Sequence, residues 1–377
     1  MSPGSGVTGV VRIPVNNGPI SGIAASPDGS RLLVTNYGRN TVSVIDTGTC
    51  RVLETIAGLD EPFAIAIGGV QANRAYVSAV STAYDSIGVI DLSTNTVIAS
   101  HPLALSVSDL VVSADGHYVY ASRNGADSAD VVVLDTATDR LQVIDIAGPA
   151  GAPGTTTACL CVSADGGRLY VGTNGPAGGW LVVMAPHAPT DDDAGRPPRW
   201  RQGHLPRLRG KTRQPGLGVM DAIEIGLPIR DVAVSPNGSI AYVASCDPQF
   251  GAVVDFVDTR TNTIIGTRKV GEIGGLLTGL TLSGDGERAY LVSDDSVTVL
   301  CTLTHDVIGA VLLAEPPSCV SESSDGTYLY IADHSGAVIV IPVASATGSG
   351  FASGPLMCAA AAEWTVPESL AYEAALA

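Results

Sequence analysis

Apolar residues along this chain come in short bursts separated by turn residues, and the bursts follow one recurring order. An apolar run ends at a serine, a turn of the form Ser-x-Asp-Gly follows, a second apolar run carries Tyr or Leu, and a third closes on Asp-Thr. The turns are Ser26-Pro27-Asp28-Gly29, Ser113-Ala114-Asp115-Gly116, Ser163-Ala164-Asp165-Gly166, Ser235-Pro236-Asn237-Gly238, Ser283-Gly284-Asp285-Gly286 and Ser323-Ser324-Asp325-Gly326, with a degenerate copy around Gly69 to Asn73. Asp or Asn before Gly supplies local hydrogen bonding and a positive φ, so each copy predicts a tight connection between adjacent antiparallel strands.

The second strands align as Leu33 to Asn36, Tyr76 to Ala79, Tyr120 to Arg123, Tyr170 to Thr173, Tyr242 to Ser245, Tyr290 to Ser293 and Tyr330 to Asp333, spaced 43, 44, 50, 72, 48 and 40 residues apart. Third strands are expected at Val42 to Asp46, Gly88 to Asp91, Val131 to Asp135, Leu181 to Met184, Val253 to Asp258, Val297 to Leu300 and Ala337 to Ile341. Turns such as Asp91 to Asn95 and Asp258 to Asn262 reverse the chain into a fourth strand. A four-stranded unit of this length buries both faces only between neighbours, which is the logic of a propeller blade. The expected fold is therefore all-β, a single seven-bladed β-propeller of four-stranded blades over residues 10–345. The seventh unit lacks a fourth strand and Val10 to Val15 is an orphan strand, so the N-terminal strand is expected to close the ring and cover the open sheet edge.

On these residues the chain resembles the YVTN family of β-propeller repeats. Leu33-Val34-Thr35-Asn36 echoes the Tyr-Val-Thr-Asn signature and Ile45-Asp46-Thr47 its Ile-Asp-Thr, over about Val10 to Ser345. It is similar as well to the lactonase-like group of seven-bladed propellers, which implies an enzymatic relative. No lactonase catalytic motif maps onto these positions.

One segment breaks the repeat. Residues 185–218, within the fourth unit, hold Asp191-Asp192-Asp193 and then Arg196, Arg199, Arg201, Arg207, Arg209, Lys211 and Arg213 among four prolines. It reads as an insertion the fold does not need: a solvated interaction loop, a disordered stretch or a reading-frame anomaly. The tail, 346–377, is expected to be peripheral or disordered.

Composition agrees with a β-rich, turn-rich chain: charged residues are 15%, aromatics 5% and glycine 44 of 377, a poor match to helical bundles. The net charge of −17 would repel a phosphate backbone, so nucleic acid is not expected as a partner and cations are mildly favoured. No run approaches the ~20 apolar residues of a membrane span, and no secretory signal is visible, so a cytoplasmic monomer is the default, with export or envelope association left open. Seven cysteines scattered over apolar runs read as free thiols.

Candidate chemistry falls at the axial channel, which the first strand of each blade lines. Four residues before each turn serine the column reads Gly22, Asp109, Cys159, Asp231, Gly279 and Cys319, with a residue near Ile65 in the second unit. One position earlier stand Ser21, Ser108, Ala158, Arg230, Thr278 and Ser318, and the loops of that face add Arg123, Asn124 and His334. Ser108, Asp109, Arg123, Asn124, Arg230, Asp231, Thr278 and His334 are the candidate ligand-binding face. Asp109 and Asp231 would share axial space. They could hold Ca²⁺ or Mg²⁺ through carboxylate oxygens, pair with Arg123 or Arg230, or bond to channel backbone and water. Cys159-Leu160-Cys161 with Cys319 suggests a soft-metal or redox site against the plainer reading of small apolar packing. Phosphate-binding and dinucleotide glycine motifs and a nucleophile elbow are all missing from the sequence. The expectation is a non-catalytic binding or scaffold role through the channel mouth, for a protein or a small molecule. A lactonase-like hydrolase of a small cyclic ester, with or without a divalent cation, and a surface or envelope interaction protein are the alternatives. No cofactor is evident.

Overall fold

Second and third strands of the repeat are apolar on both faces because both faces are covered. In β3 (Arg31–Asn36), five of the six residues are buried, and β4 (Thr41–Asp46) buries its four central positions. Outer strands read differently. β9 (Thr96–Pro102) alternates exposed and half-buried positions along its length, as expected of a strand at the rim with one face in solvent.

The structure is a computed structural model that describes residues 9–68, 73–81, 84–125, 129–146, 149–186, 217–271, 273 and 275–347. Its strands form seven sheets of four, each antiparallel: a seven-bladed β-propeller. Blade 1 is β2 (Ile20–Ala25) to β5 (Arg51–Ala57), blade 2 runs from β6 (Pro62–Ile67) to β9, and blade 3 from β10 (Ser106–Val112) to β13 (Arg140–Asp145). Blade 4 runs from β14 (Thr156–Val162) to β17 (Leu217–Glu224), blade 5 from β18 (Ile229–Val234) to β21 (Thr263–Val270), and blade 6 from β22 (Leu277–Leu282) to β25 (Val307–Leu312). Blade 7 combines β26 (Pro317–Glu322), β27 (Tyr328–Asp333) and β28 (Ala337–Pro342) with β1 (Val11–Pro14).

The closure expected of the N-terminal strand is present. Val11, Arg12, Ile13 and Pro14 oppose Val340, Ile339, Val338 and Ala337. Ile13 and Val15 drop into an apolar cluster with Ile20 and Leu32 of blade 1 and Tyr330 and Val338 of blade 7. Six further clusters, such as Leu33, Val44, Val77 and Ile90 between blades 1 and 2, repeat the arrangement around the ring. Burial therefore lies between blades, so no blade has a core of its own.

The turn signature has a matching geometry. Ser113 Oγ donates to Asp115 Oδ1 at 2.6 Å while accepting from the Tyr118 amide at 2.9 Å, and Gly116 has a φ of 73°. The threonine of Asp-Thr closes the motif: Thr47 Oγ1 and Thr259 Oγ1 each donate to the carbonyl of the turn glycine at 2.6 Å. These hydrogen bonds hold the turn carboxylates below the ordinary range, Asp28 at about 2 chiefly through Ser26. The degenerate copy at Gly69, the segment 187–216 that carries the basic insertion with His187 and His204, and the tail beyond Thr347 with Cys358 lie outside the described residues. Among the described residues no helix is long and apolar enough to cross a membrane.

Candidate functional site

All seven innermost strands share a feature the sequence pattern does not announce. Each carries a one-residue bulge against its second strand, between Ile20 and Gly22, Pro62 and Ile65, Val107 and Asp109, Thr157 and Cys159, Ile229 and Asp231, Leu277 and Gly279, and Pro317 and Cys319. The extra residue has no partner in the ladder, so the bulge aims its side chain into the channel. Those residues form a ring around the channel: hydroxyls at Ser21, Ser108, Thr278 and Ser318, apolar groups at Phe63 and Ala158, and one cation, Arg230.

The register also corrects the second blade. The Ala64 amide donates to Ser78 Oγ at 2.9 Å just as the Asp109 amide donates to Ser122 Oγ at 3.0 Å, so Ala64 takes the column position and Ile65 matches the buried Leu110. The channel these residues line has a volume of about 550 Å³, within the range of small-molecule sites.

Asp109 and Asp231 border that channel but do not present free carboxylates to it. Asp109 Oδ1 accepts the amide of Leu110 at 2.8 Å, and its Oδ2 accepts Leu160 of the next blade at 2.7 Å. Asp231 repeats this two blades on, with Val232 at 2.8 Å and Leu280 at 2.8 Å. Each carboxylate thus clamps its own inner strand to the next blade's, satisfying amides that the bulged ladder leaves without strand partners. Both keep some accessible surface on the channel side, yet the carboxyl groups are enclosed by protein. Burial pushes Asp109 up to about 7, with the charge of Asp231 adding to it, and pushes Asp231 up to about 6, in each case against the pull of the two amides. The shared axial space expected of the two is real, but the arginines do not neutralise it.

Arg123 is instead locked to Asp130 within its own blade, its Nε and Nη2 donating to the two carboxylate oxygens at 2.7 and 2.9 Å, with both residues buried. Asn124 reaches across to blade 4: its Nδ2 donates to the Thr157 carbonyl at 3.0 Å and its Oδ1 accepts the Thr157 amide at 2.7 Å. Asn174 does the same with Ile229, at 2.8 and 2.7 Å. Ser108 Oγ pairs with Ser122 Oγ at 2.7 Å and lies 3.1 Å from Thr157 Oγ1, while Thr278 Oγ1 donates to the Val292 carbonyl at 3.2 Å. His334 is an exposed loop residue whose amide donates to the Pro316 carbonyl at 3.0 Å. Arg230 is exposed and, among the described residues, makes neither hydrogen bond nor ion pair.

The thiols follow the plainer reading. A Cβ at Gly172 would lie 2.5 Å from Cys159 Sγ and 2.9 Å from Ile229 Cγ2, so the thiol fills the space between blades 4 and 5 that a side chain there would need. Burial pushes the Cys161 and Cys319 thiols up to about 12 and Cys159 well above its usual value, which leaves them protonated and poorly nucleophilic. Among the described residues no three His, Cys, Asp or Glu side chains converge as a metal set.

No protein-family model matches the chain. The whole chain is 55% identical to 94% of the "Seven-bladed beta-propeller protein Rv1057" of Mycobacterium tuberculosis. The chain belongs to that protein's family. Among solved structures it is similar to Kuenenia stuttgartiensis hydrazine synthase, with a TM-score of 0.67 at 18% identity, over 86% of this chain and 96% of the other. At that identity the likeness extends to the fold alone.

Proposed function

We propose that the chain is a non-catalytic binding propeller that takes its partner on the channel-mouth face. One contrast carries the reading. The groups with chemical potential in the channel, Asp109 and Asp231, are engaged in joining blades, whereas the ring above them keeps Arg230 and the 47%-exposed Phe63 uncommitted. An exposed aromatic and a guanidinium unpaired among the described residues, on the rim of a concave site, are the side chains recognition surfaces favour. A fragment survey by protein-observed NMR tests it. Perturbations should gather on Phe63, Arg230 and Thr278; fragments that gather on the Asp-Gly turn face, or nowhere, contradict it.

The lactonase-like reading keeps one supporting observation: a carboxyl pushed to about 7 at Asp109 lies where a general base works at neutral pH. Its oxyanion-stabilising cation would be Arg230. Hydrolysis of simple γ- and δ-lactones, lost in Asp109→Asn, would establish it, and with it any role for Ca²⁺ or Mg²⁺. We infer further that the repeats are of the YVTN type, from Leu33-Val34-Thr35-Asn36 lying on a second strand with Ile45-Asp46-Thr47 at the end of the third.

A further inference from the structure

Phe63 belongs to blade 2 and Arg230 to blade 5. In a ring of seven, residues three blades apart face each other across the axis. The two exposed ring side chains that lack polar partners among the described residues, one apolar and one cationic, therefore stand on opposite sides of one opening, above a chamber of about 550 Å³ walled by residues such as Ile23, Ile65 and Val111. We infer that the channel mouth binds a small carboxylate with an aryl-sized apolar body, Arg230 taking the carboxylate and Phe63 flanking the body; this rests on the binding reading above.

The sign of the charge follows from what is already occupied. The ring contains no carboxylate, and all four oxygens of Asp109 and Asp231 below it accept backbone amides. A cationic ligand would have to compete for them. The upward shift of both carboxyls weakens the negative field that an anion would meet in the chamber, and the buried thiols of Cys159, Cys161 and Cys319 stay neutral. The amount of charge follows from the single arginine. One guanidinium matches one planar carboxylate in a two-point contact. A phosphate dianion or a polyanion would want a second cation, which the ring does not offer, against a molecule carrying a net charge of −17.

Calorimetric titration of the full chain with ω-phenylalkanoates, from phenylacetate to phenylhexanoate, beside the matching amines and alcohols, tests the assignment. The carboxylates should bind at one site per chain and the amines should not. Arg230→Gln should weaken carboxylate binding by roughly tenfold or more, as expected for loss of a charge-assisted pair. Phe63→Ala should weaken it by about threefold, the scale of a flanking aromatic contact. Arg260→Gln, which removes one exposed arginine from a turn after the third strand of blade 5, should leave binding unchanged. Amines or alcohols binding as tightly as carboxylates would overturn the ligand class while leaving the channel as the binding surface. Equal losses in Arg230→Gln and Arg260→Gln, or no carboxylate binding up to millimolar concentration, would overturn the assignment as well. The fragment survey judges the binding surface independently of this series.

Discussion

The two ends of the inner strands obey opposite rules. At one end the Ser-Asp-Gly turns repeat: Ser26, Ser113, Ser163, Ser283 and Ser323 each donate to the carboxylate two residues on, at 2.5 to 2.6 Å, and Ser235 donates to Asn237 at 2.8 Å. At the other end the seven bulge residues include four hydroxyls, an aromatic ring, a methyl group and a guanidinium. The turn end does one job in six of the seven blades, reversing the chain at a fixed angle, and a fixed job admits few side chains. The bulge residues have no ladder partner, so the fold leaves their identity free: hydroxyls such as Ser108 and Thr278 bond to neighbouring protein groups, whereas Phe63 and Arg230 are exposed. Repetition marks what the fold needs, and the proposed recognition falls where repetition stops.

Removing the closing strand should produce the largest loss. Deleting Met1 to Val15 strips β1 from β28 and uncovers the cluster that Ile13 and Val15 fill. The cost should be about 3 kcal/mol or more, from two buried aliphatic side chains and their cross-strand pairs. Thermal unfolding checks this, and an unchanged melting temperature would mean that the ring closes by other contacts.

The repeat count, the strand order, the closure and the neutral packing role of Cys159, Cys161 and Cys319 could all be read along the chain, because each depends on local periodicity and turn chemistry. The occupation of Asp109 and Asp231 could not. Their partners, Leu160 and Leu280, belong to the next blade, and the choice between a metal, an arginine and an amide depends on how two twisted sheets stagger. The cross-blade partners of Asn124 and Asn174, Thr157 and Ile229, stayed hidden for the same reason. Ala64 was displaced to Ile65 because the second unit lacks the Ser-x-Asp-Gly turn from which the column is counted.

The two carboxylate clamps set the next largest effect, through pH. Their folded pKa values, about 7 and about 6, lie above the unfolded value near 3.8. The folded state therefore holds their protons more tightly than the unfolded chain does. That stability is fully present in acid and is lost as pH rises through the folded values. The melting temperature should fall by about 3 °C between about pH 5 and about pH 8. Asp109→Asn with Asp231→Asn should flatten this slope. The turn carboxylates, shifted downward, act in the opposite sense and only at more acid pH. A slope that survives the double substitution would place its origin elsewhere.

On the turn face, Ser113→Ala removes the hydroxyl that bonds both Asp115 and the Tyr118 amide, and should cost about 1 kcal/mol. On the ring, Arg230→Gln should change stability by less than about 0.5 kcal/mol, since its side chain is exposed and unpaired among the described residues. Denaturant titration of the two variants side by side gives both numbers. A ring substitution as costly as the turn substitution would erase the distinction between the two ends.

The most direct test measures the melting temperature with and without saturating phenylalkanoate in two double variants, Phe63→Ala with Arg230→Gln, and Ser113→Ala with Ser163→Ala. The ring variant should melt within about 1 °C of the native chain and show no upward shift with ligand, because a ligand stabilises only the state that binds it. The turn variant should melt lower by about 3 °C, from two lost turn networks, yet keep the full ligand shift. A ring variant that melts low, or one that keeps the ligand shift while the turn variant loses it, would contradict the division of labour between the two ends of the propeller.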